Sequence, residues 1–342
     1  MSHSLLATTA VVGICFAGLV QPVQAQFYAL SDLGSLIATS YSVPHGLNES
    51  AEVVGYSYAG SGAHAFLWTA SGGIQDLGTL GGATSYAYGV NQSRQVVGYG
   101  VQGGVDKAYL WSSATGMQVL GTLGGAASYA REINDAGQVA GYSQIVSGKY
   151  RAYRWSAAGG MQNLGTLGTA SSNSYATGIN AAGQVAGFSH VGGNAHAFRW
   201  DPASGLQDLG TLDGGNSYGK AIGGSGAVVG YATAAGAEHA FVWTPAGGMQ
   251  DLGTLGGSNS YAKGINSAQR VVGQADTATN SVGFVWSADE GLQNLNDLLP
   301  DPGGWFIEAG LGINDQGVIV AMGRNALGRV HAVLLAPVLA DD

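Results

Sequence analysis

Residues 249–255 read MQDLGTL, and residues 29–36 read ALSDLGSL. The glycine of this element recurs at 34, 78, 121, 165, 210 and 253, a spacing of 43 to 45 residues. Three further pieces recur with it. An opener of the form SYAxGIN stands at 85–91, 174–180 and 260–266. QVVGY (95–99) follows it, with relatives at 52–56, 138–142, 184–188, 227–231 and 270–274. Then come HAFLW (64–68), KAYLW (107–111), RAYRW (151–155), HAFRW (196–200) and HAFVW (239–243). Each piece is short and rich in β-branched or aromatic residues. Turns such as NDAGQ (134–138) and SGGIQ (71–75) part them, the signal for consecutive antiparallel strands joined by hairpins. A four-stranded unit of this length, repeated radially, predicts a β-propeller blade.

The count of units predicts how the ring closes. Six units run from about 41 to 299, and a seventh at 305–338 carries GLGIND (310–315), GVIVAM (317–322) and VHAVLL (330–335) without a closing DLGTL. The missing element stands at the other end of the chain, in ALSDLGSL. The expectation is an all-β, seven-bladed β-propeller over residues 26–342, its last blade closed by the N-terminal strand so that no sheet edge is left open to further pairing. An open solenoid would leave the surplus strand at one end and the deficit at the other unexplained.

Composition agrees with this class. The 342 residues include 59 glycines, 46% are hydrophobic and only 10% are charged, too apolar for disorder and too rich in glycine for a helical protein. With 21 acids against 12 bases and no basic run, the chain would repel phosphate backbones, so nucleic acid is not an expected partner. Residues 5–20 are apolar and are followed by small residues at Val23 and Ala25, which predicts a secretory signal over 1–25, although its start carries no Lys or Arg. The stretch is short for a membrane span and no second one follows, so a soluble, secreted or periplasmic monomer is expected. The single cysteine, Cys15, lies inside that segment, which leaves no disulfide or thiol chemistry after it.

A histidine before the aromatic strand invites a catalytic or metal-binding reading. Twelve residues after it stands an acid: His64 with Asp76, His196 with Asp208, His239 with Asp251. Where histidine is absent the aspartate is absent too, as in Lys107 with Val119, Arg151 with Asn163 and Val282 with Asn294. In the seventh unit, His331 finds its acid slot filled by Asp32 of the N-terminal strand. Joint presence and absence predicts contact across neighbouring strands, a hydrogen-bonded tie that orients the ring. Copies spread round a ring cannot converge on one substrate. One His and one Asp per blade also supply too few ligands for a metal, so no metal or cofactor is expected.

The histidine–aromatic strand, SYAxGIN, GQVVGY and LGTLGG together resemble the HAF-repeat family of extracellular bacterial proteins, over residues 29 to 338. The resemblance implies secretion from a bacterium. It implies no activity, and no catalytic residue is carried over from it.

Specificity is sought where the repeats disagree. The residue before glycine in the opener is His45, Tyr88, Arg131, Thr177, Lys220, Lys263 and Leu311 in blade order. On an innermost strand these would border the channel at one level, and an acidic protein with a cationic channel mouth would suit an anionic ligand such as a uronate. Two residues earlier stand Tyr86, Tyr129, Tyr175, Tyr218 and Tyr261, either platforms for sugar faces or packing between blades. Blades 3 and 4 depart most: Glu132 replaces the opener glycine, and Arg154 and Arg199 replace the Leu or Val of the other units. A charge in an apolar slot needs a partner, for which Glu132 is a candidate. The insertion DLLPDPGGW (297–305) presents Trp305 and Phe306 as ligand contacts or a closure plug.

The chain has no GxSxG elbow, HExxH, Walker loop, EF-hand loop or dinucleotide fingerprint in a strand–helix context. The expected function is therefore non-catalytic binding of an extracellular glycan or other anionic envelope component. His45, Tyr88, Tyr129, Arg131, Arg154, Tyr175, Arg199, Lys220 and Lys263 are the candidate contacts. The alternative is a polysaccharide lyase, in which Arg131, Lys220 or Lys263 neutralises a uronate carboxylate while His45, Tyr88 or Glu132 exchanges the proton. A purely adhesive or structural role in protein contacts is a third reading.

Overall fold

The structure, a computed structural model, describes residues 27–338. The expected signal segment lies outside the described residues. Seven four-stranded antiparallel sheets form the ring, and a single 3-10 turn, Leu295–Leu298, is the helical element among the described residues. Blade 1 shows the common plan: an inner strand Ser42–Leu47, a second strand Val53–Tyr58, a third Ala63–Thr69 and an outer strand Gly73–Asp76. Blades 2 to 6 occupy 85–119, 124–163, 174–208, 217–251 and 260–294. Blade 7 takes its inner three strands from Phe306–Ile313, Ile319–Arg324 and Val330–Val338, and its outer strand is Phe27–Asp32, antiparallel to Val330–Val338. The chain is a seven-bladed β-propeller closed by its N-terminal strand. Among these residues no helix is long and apolar enough to cross a membrane.

Each repeated residue type has a place in this plan. The glycine of QVVGY lets the second strand lie tightly on the inner one: a Cβ at Gly98 would fall 1.8 Å from the Tyr86 carbonyl. The third-strand aromatics Phe66, Tyr109, Tyr153, Phe198, Phe241 and Phe284 are fully buried between neighbouring blades. Each such side chain contributes about 1.5–3 kcal/mol by leaving water.

Polar ties lock blade to blade. The opener serine of blade 2, Ser85, donates to the Gly78 carbonyl at 2.6 Å and accepts from the Ala65 amide at 2.9 Å, both in blade 1 or the loop leaving it. Ser42, Ser128, Ser174, Ser217 and Ser260 repeat that pair of bonds. Entering blade 7, Asn296 replaces this device, exchanging two side-chain bonds with the backbone of Ile307. At the far end of the inner strands the opener asparagines form a chain round the ring. Asn48 Nδ2 donates to the Asn91 carbonyl, Asn91 to Asn134, Asn134 to Asn180 and Asn180 to Gly223. Asn266 donates to Asn314, and Asn314 back to Asn48. The chain breaks once, at Gly223, which has no side chain to reach Asn266.

Candidate functional site

The residue before glycine in SYAxGIN is displaced from the pairing of its strand. In blade 2 the register runs from Ala87–Gly98 to Gly89–Val97, so Tyr88 has no partner of its own. The same shift falls on His45, Arg131, Thr177, Lys220, Lys263 and Leu311. A bulge at this point re-aims one side chain per blade. All seven line the central channel at one level, between a narrow chamber of about 230 Å³ and a wider one of about 600 Å³.

The ring is chemically lopsided. Through blades 1 to 3 it is a stack: the His45 ring lies 4.1 Å from that of Tyr88 at an interplanar angle of 13°, and the Arg131 guanidinium carbon stands 4.2 Å over Tyr88. Arg131 also donates to the Tyr142 hydroxyl at 2.7 Å. The hydroxyl of Thr177 is committed to the carbonyls of Ala186 and Gly219. Lys220 and Lys263 are different, because their ammonium groups make cation–π contacts with Tyr231 and Tyr261 at 5.2 and 5.9 Å but have no hydrogen-bond acceptor among the described residues. Burial, with the nearby charges of Lys263 and Arg131 and against the pull of Glu238, brings Lys220 down to about 8. Burial also lowers Lys263.

Burial, followed by the charges of Arg131 and Lys263, holds His45 down at about 3, and its buried Nε2 has no hydrogen-bond partner. A neutral imidazole of that basicity is a poor proton acceptor near neutrality, which weighs against His45 as the base of the lyase arrangement. Glu132 enters the narrow chamber from the glycine slot, its Oε1 accepting from the Ile133 amide at 3.0 Å. Gly89 of the preceding blade makes room for it, since a Cβ there would fall 2.6 Å from Oε1. Burial pushes the Glu132 carboxyl up to about 7, against the Ile133 hydrogen bond.

Arg154 and Arg199 require a correction. They line neither chamber and form no pair with Glu132; Arg154 lies 4.8 Å over Trp200 and Arg199 5.4 Å over Trp243, each a tryptophan of the following blade. Arg154 also donates to Gln162 on its own outer strand. The third strand carries these side chains outward between blades, so both are peripheral ties.

The tyrosines divide. Opener and second-strand aromatics alternate in a belt from Tyr56 to Tyr261. Neighbours on adjacent blades meet edge-on at 70–78°, as in Tyr142 with Tyr175, while pairs within a blade lie at 23–31°, as in Tyr129 with Tyr142. Tyr175 lines the wider chamber. Tyr129 does not; its hydroxyl donates to Asp106 at 2.9 Å and the ring packs in the belt. Sequence reasoning missed the second-strand partners Tyr142 and Phe188, although the last position of GQVVGY carried that signal. The belt stops where Gln274, Ala309, Met322 and Val43 line the chamber instead.

The four His–Asp pairs lie outside the channel. Nδ1 of His64, His196, His239 and His331 stands 2.8–2.9 Å from Asp76, Asp208, Asp251 and Asp32. The other oxygen of Asp76, Asp208 and Asp251 accepts from the amide of the DLG glycine, whose φ is positive (Gly78, +77°), so one carboxylate ties two strands and sets the turn. Lys107 reaches instead to the Ala126 carbonyl at the start of the next blade's inner strand, and Arg151 to the Ala170 and Ser172 carbonyls of the following loop. Trp305 stands 5.9 Å from the His331 ring and packs on the blade 7 core, while Phe306 is exposed. Among the described residues no group of three or more His, Cys, Asp or Glu could hold a metal ion.

No family model matches the chain, and no curated protein matches it. Solved structures do. The β-propeller domain of the Trilobed protease from Pyrococcus furiosus matches at 8% identity with a TM-score of 0.59, over 89% of this chain and 98% of that one. Puromycin hydrolase matches at 12% identity with a TM-score of 0.52, over 89% of this chain and 52% of that one, so the chain spans about half of its length. TolB from Acinetobacter baumannii matches at 13% identity with a TM-score of 0.47, over 71% of this chain and 63% of that one. What the first two share with this chain is the β-propeller fold.

Proposed function

We propose that the protein is a secreted, non-catalytic propeller of the HAF-repeat type that binds an anionic extracellular ligand, a carboxylate-bearing glycan or envelope component, in its central channel. The observation that carries this reading is the pair Lys220 and Lys263. Two ammonium groups on adjacent blades face one cavity without a hydrogen-bond acceptor, beside Arg131 and the unpartnered Nε2 of His45. A carboxylate satisfies both lysines, and the low dielectric of a half-enclosed channel strengthens the attraction. The wider chamber, about 600 Å³, falls within the roughly 300–1,000 Å³ usual for small-ligand sites.

The test is calorimetric titration of the purified protein with uronic acids, uronate oligosaccharides and their neutral counterparts. Binding of the acidic sugars alone, lost in Lys220→Ala and Lys263→Ala and without release of unsaturated product, is the expected result. Equal binding of neutral sugars, or unchanged affinity in both variants, would remove the channel as the site. Unsaturated product would restore the lyase.

A further inference from the structure

Where the aromatic belt breaks, a second cavity of about 610 Å³ opens between the loop entering blade 1 and the hairpin of blade 7. Thr39, Ser40, Tyr41 and Val43 form one wall, and Gly328, Arg329 and Val330 the other. Val43 lines this cleft and the wider channel chamber alike, so the two hollows adjoin at this residue. Tyr41 is where the belt leaves the channel: its ring meets Tyr56 edge-on at 6.3 Å and Tyr58 at 6.5 Å with a tilt of 32°. Both Tyr41 and Tyr58 are exposed, at 41% and 39%, unlike the third-strand aromatics of the core. The Tyr58 hydroxyl is held by the Gly60 carbonyl; at Tyr41 only the backbone carbonyl is bonded, accepting from Ser57, and the side-chain hydroxyl has no hydrogen bond to the protein among the described residues. Opposite, the Arg329 guanidinium makes one long bond, 3.4 Å, to the Ala38 carbonyl.

An exposed aromatic face beside a cation that keeps most of its donors, with hydroxyls from Thr39 and Ser40, is the chemistry that recognises a sugar ring bearing an acidic or hydroxyl substituent. We infer that this cleft is a second subsite for an acidic oligosaccharide, holding on Tyr41 and Arg329 the residue next to the one whose carboxylate enters the channel. The inference rests on the channel reading for the first residue and on Val43, where the two hollows adjoin, for the continuity between them. A ligand of several residues would then cross from the channel to the rim at the one sector where no tyrosine pair blocks the way.

The experiment compares a uronic acid monosaccharide with its trisaccharide on the wild-type protein, Tyr41→Ala, Tyr41→Phe, Arg329→Ala and Lys220→Ala, with thermal melts to verify folding. The trisaccharide is expected to bind wild type about tenfold more tightly, a difference of about 1.4 kcal/mol. Tyr41→Ala and Arg329→Ala should erase that gain and leave the monosaccharide affinity unchanged, while Tyr41→Phe keeps it. A gain that survives Tyr41→Ala, or an equal loss for both sugars, overturns the second subsite while Lys220→Ala still tests the channel. Affinity that depends on Tyr41 and is indifferent to Lys220 retains the cleft and discards the channel as its neighbour. Absence of binding by either sugar to wild type overturns both.

Discussion

His331 Nδ1 lies 2.9 and 3.1 Å from the two carboxylate oxygens of Asp32, a residue 299 positions away in the chain. The same ring presents Nε2 to the Ser40 carbonyl at 3.1 Å, so one histidine holds the last blade to the first strand and to the loop that leaves it. His64 and Asp76 make the same bond across only twelve residues. The chemistry is shared, but only the first pair spans the closure.

Asp32→Ala should therefore cost more than Asp76→Ala. It leaves the buried His331 Nδ1 unpaired at the ring's seam, a loss of about 1–3 kcal/mol, whereas the exposed pair should lose under about 1 kcal/mol. Denaturant midpoints of the two variants check this; equal losses would remove any special role for the seam.

Gly223→Asn should stabilise the fold. Its Cβ would stand 3.6 Å from the Asn266 carbonyl, ordinary contact, and Gly223 already bonds the Ala227 carbonyl as the ring asparagines bond their own partners. The new Nδ2 completes the one missing link and Oδ1 can take the Ala227 amide, for a gain of about 1 kcal/mol. A rise in thermal midpoint is the readout. Asn91→Ala, which opens the chain at a second point, should lower it.

Anion binding should weaken as pH rises through about 8, where Lys220 loses its proton. It should strengthen as pH falls through about 7, where the Glu132 carboxylate in the adjoining narrow chamber, which Lys220 also lines, is neutralised. Affinity measured from pH 5 to 10 tests both limbs; Glu132→Gln should flatten the acid one, and a profile unmoved by that change would exclude Glu132.

The same carboxylate sets a stability trend. Its folded value, about 7, lies above the ordinary 4.5, so the folded chain binds the extra proton between these values and stability falls as pH rises through that window. Glu132→Ala, with the alanine that blade 5 carries at Ala221, should leave stability near pH 4 unchanged. Above pH 7 it should add up to roughly 3 kcal/mol. Chemical denaturation at the two pH values separates this from a simple packing effect.

Arg154→Leu and Arg199→Val should leave ligand affinity untouched and change stability by about 1 kcal/mol or less, since each removes a peripheral cation–π contact with Trp200 or Trp243. Loss of ligand binding in either would reinstate them at the site.

The histidine–aspartate slots and the terminal DLG elements were legible because each is a contact between adjacent strands or a count of repeats, and both leave a fixed spacing in the chain. The cationic slot was legible as the position where repeats disagree. Its convergence depends on a bulge that moves His45, Lys220 and their equivalents out of strand pairing, and alternation of apolar and polar residues carries no mark of it. Arg154 and Arg199 looked like channel groups for the same reason: a sequence shows that a charge occupies an apolar slot without showing that the slot faces the neighbouring blade. The asparagine chain and the aromatic belt were hidden in plain repetition, since a residue present in nearly every copy reads as fold rather than as a bond to the next copy.

The sequence by itself determined the number of blades, their four-stranded plan and the seam at Asp32 and His331, because local strand signals repeated at one period admit a single closed arrangement. The tertiary structure alone decided which charges meet. Residues more than forty positions apart come to one level only when the ring closes, and whether a side chain then faces the channel or the next blade is set by a bulge and by packing.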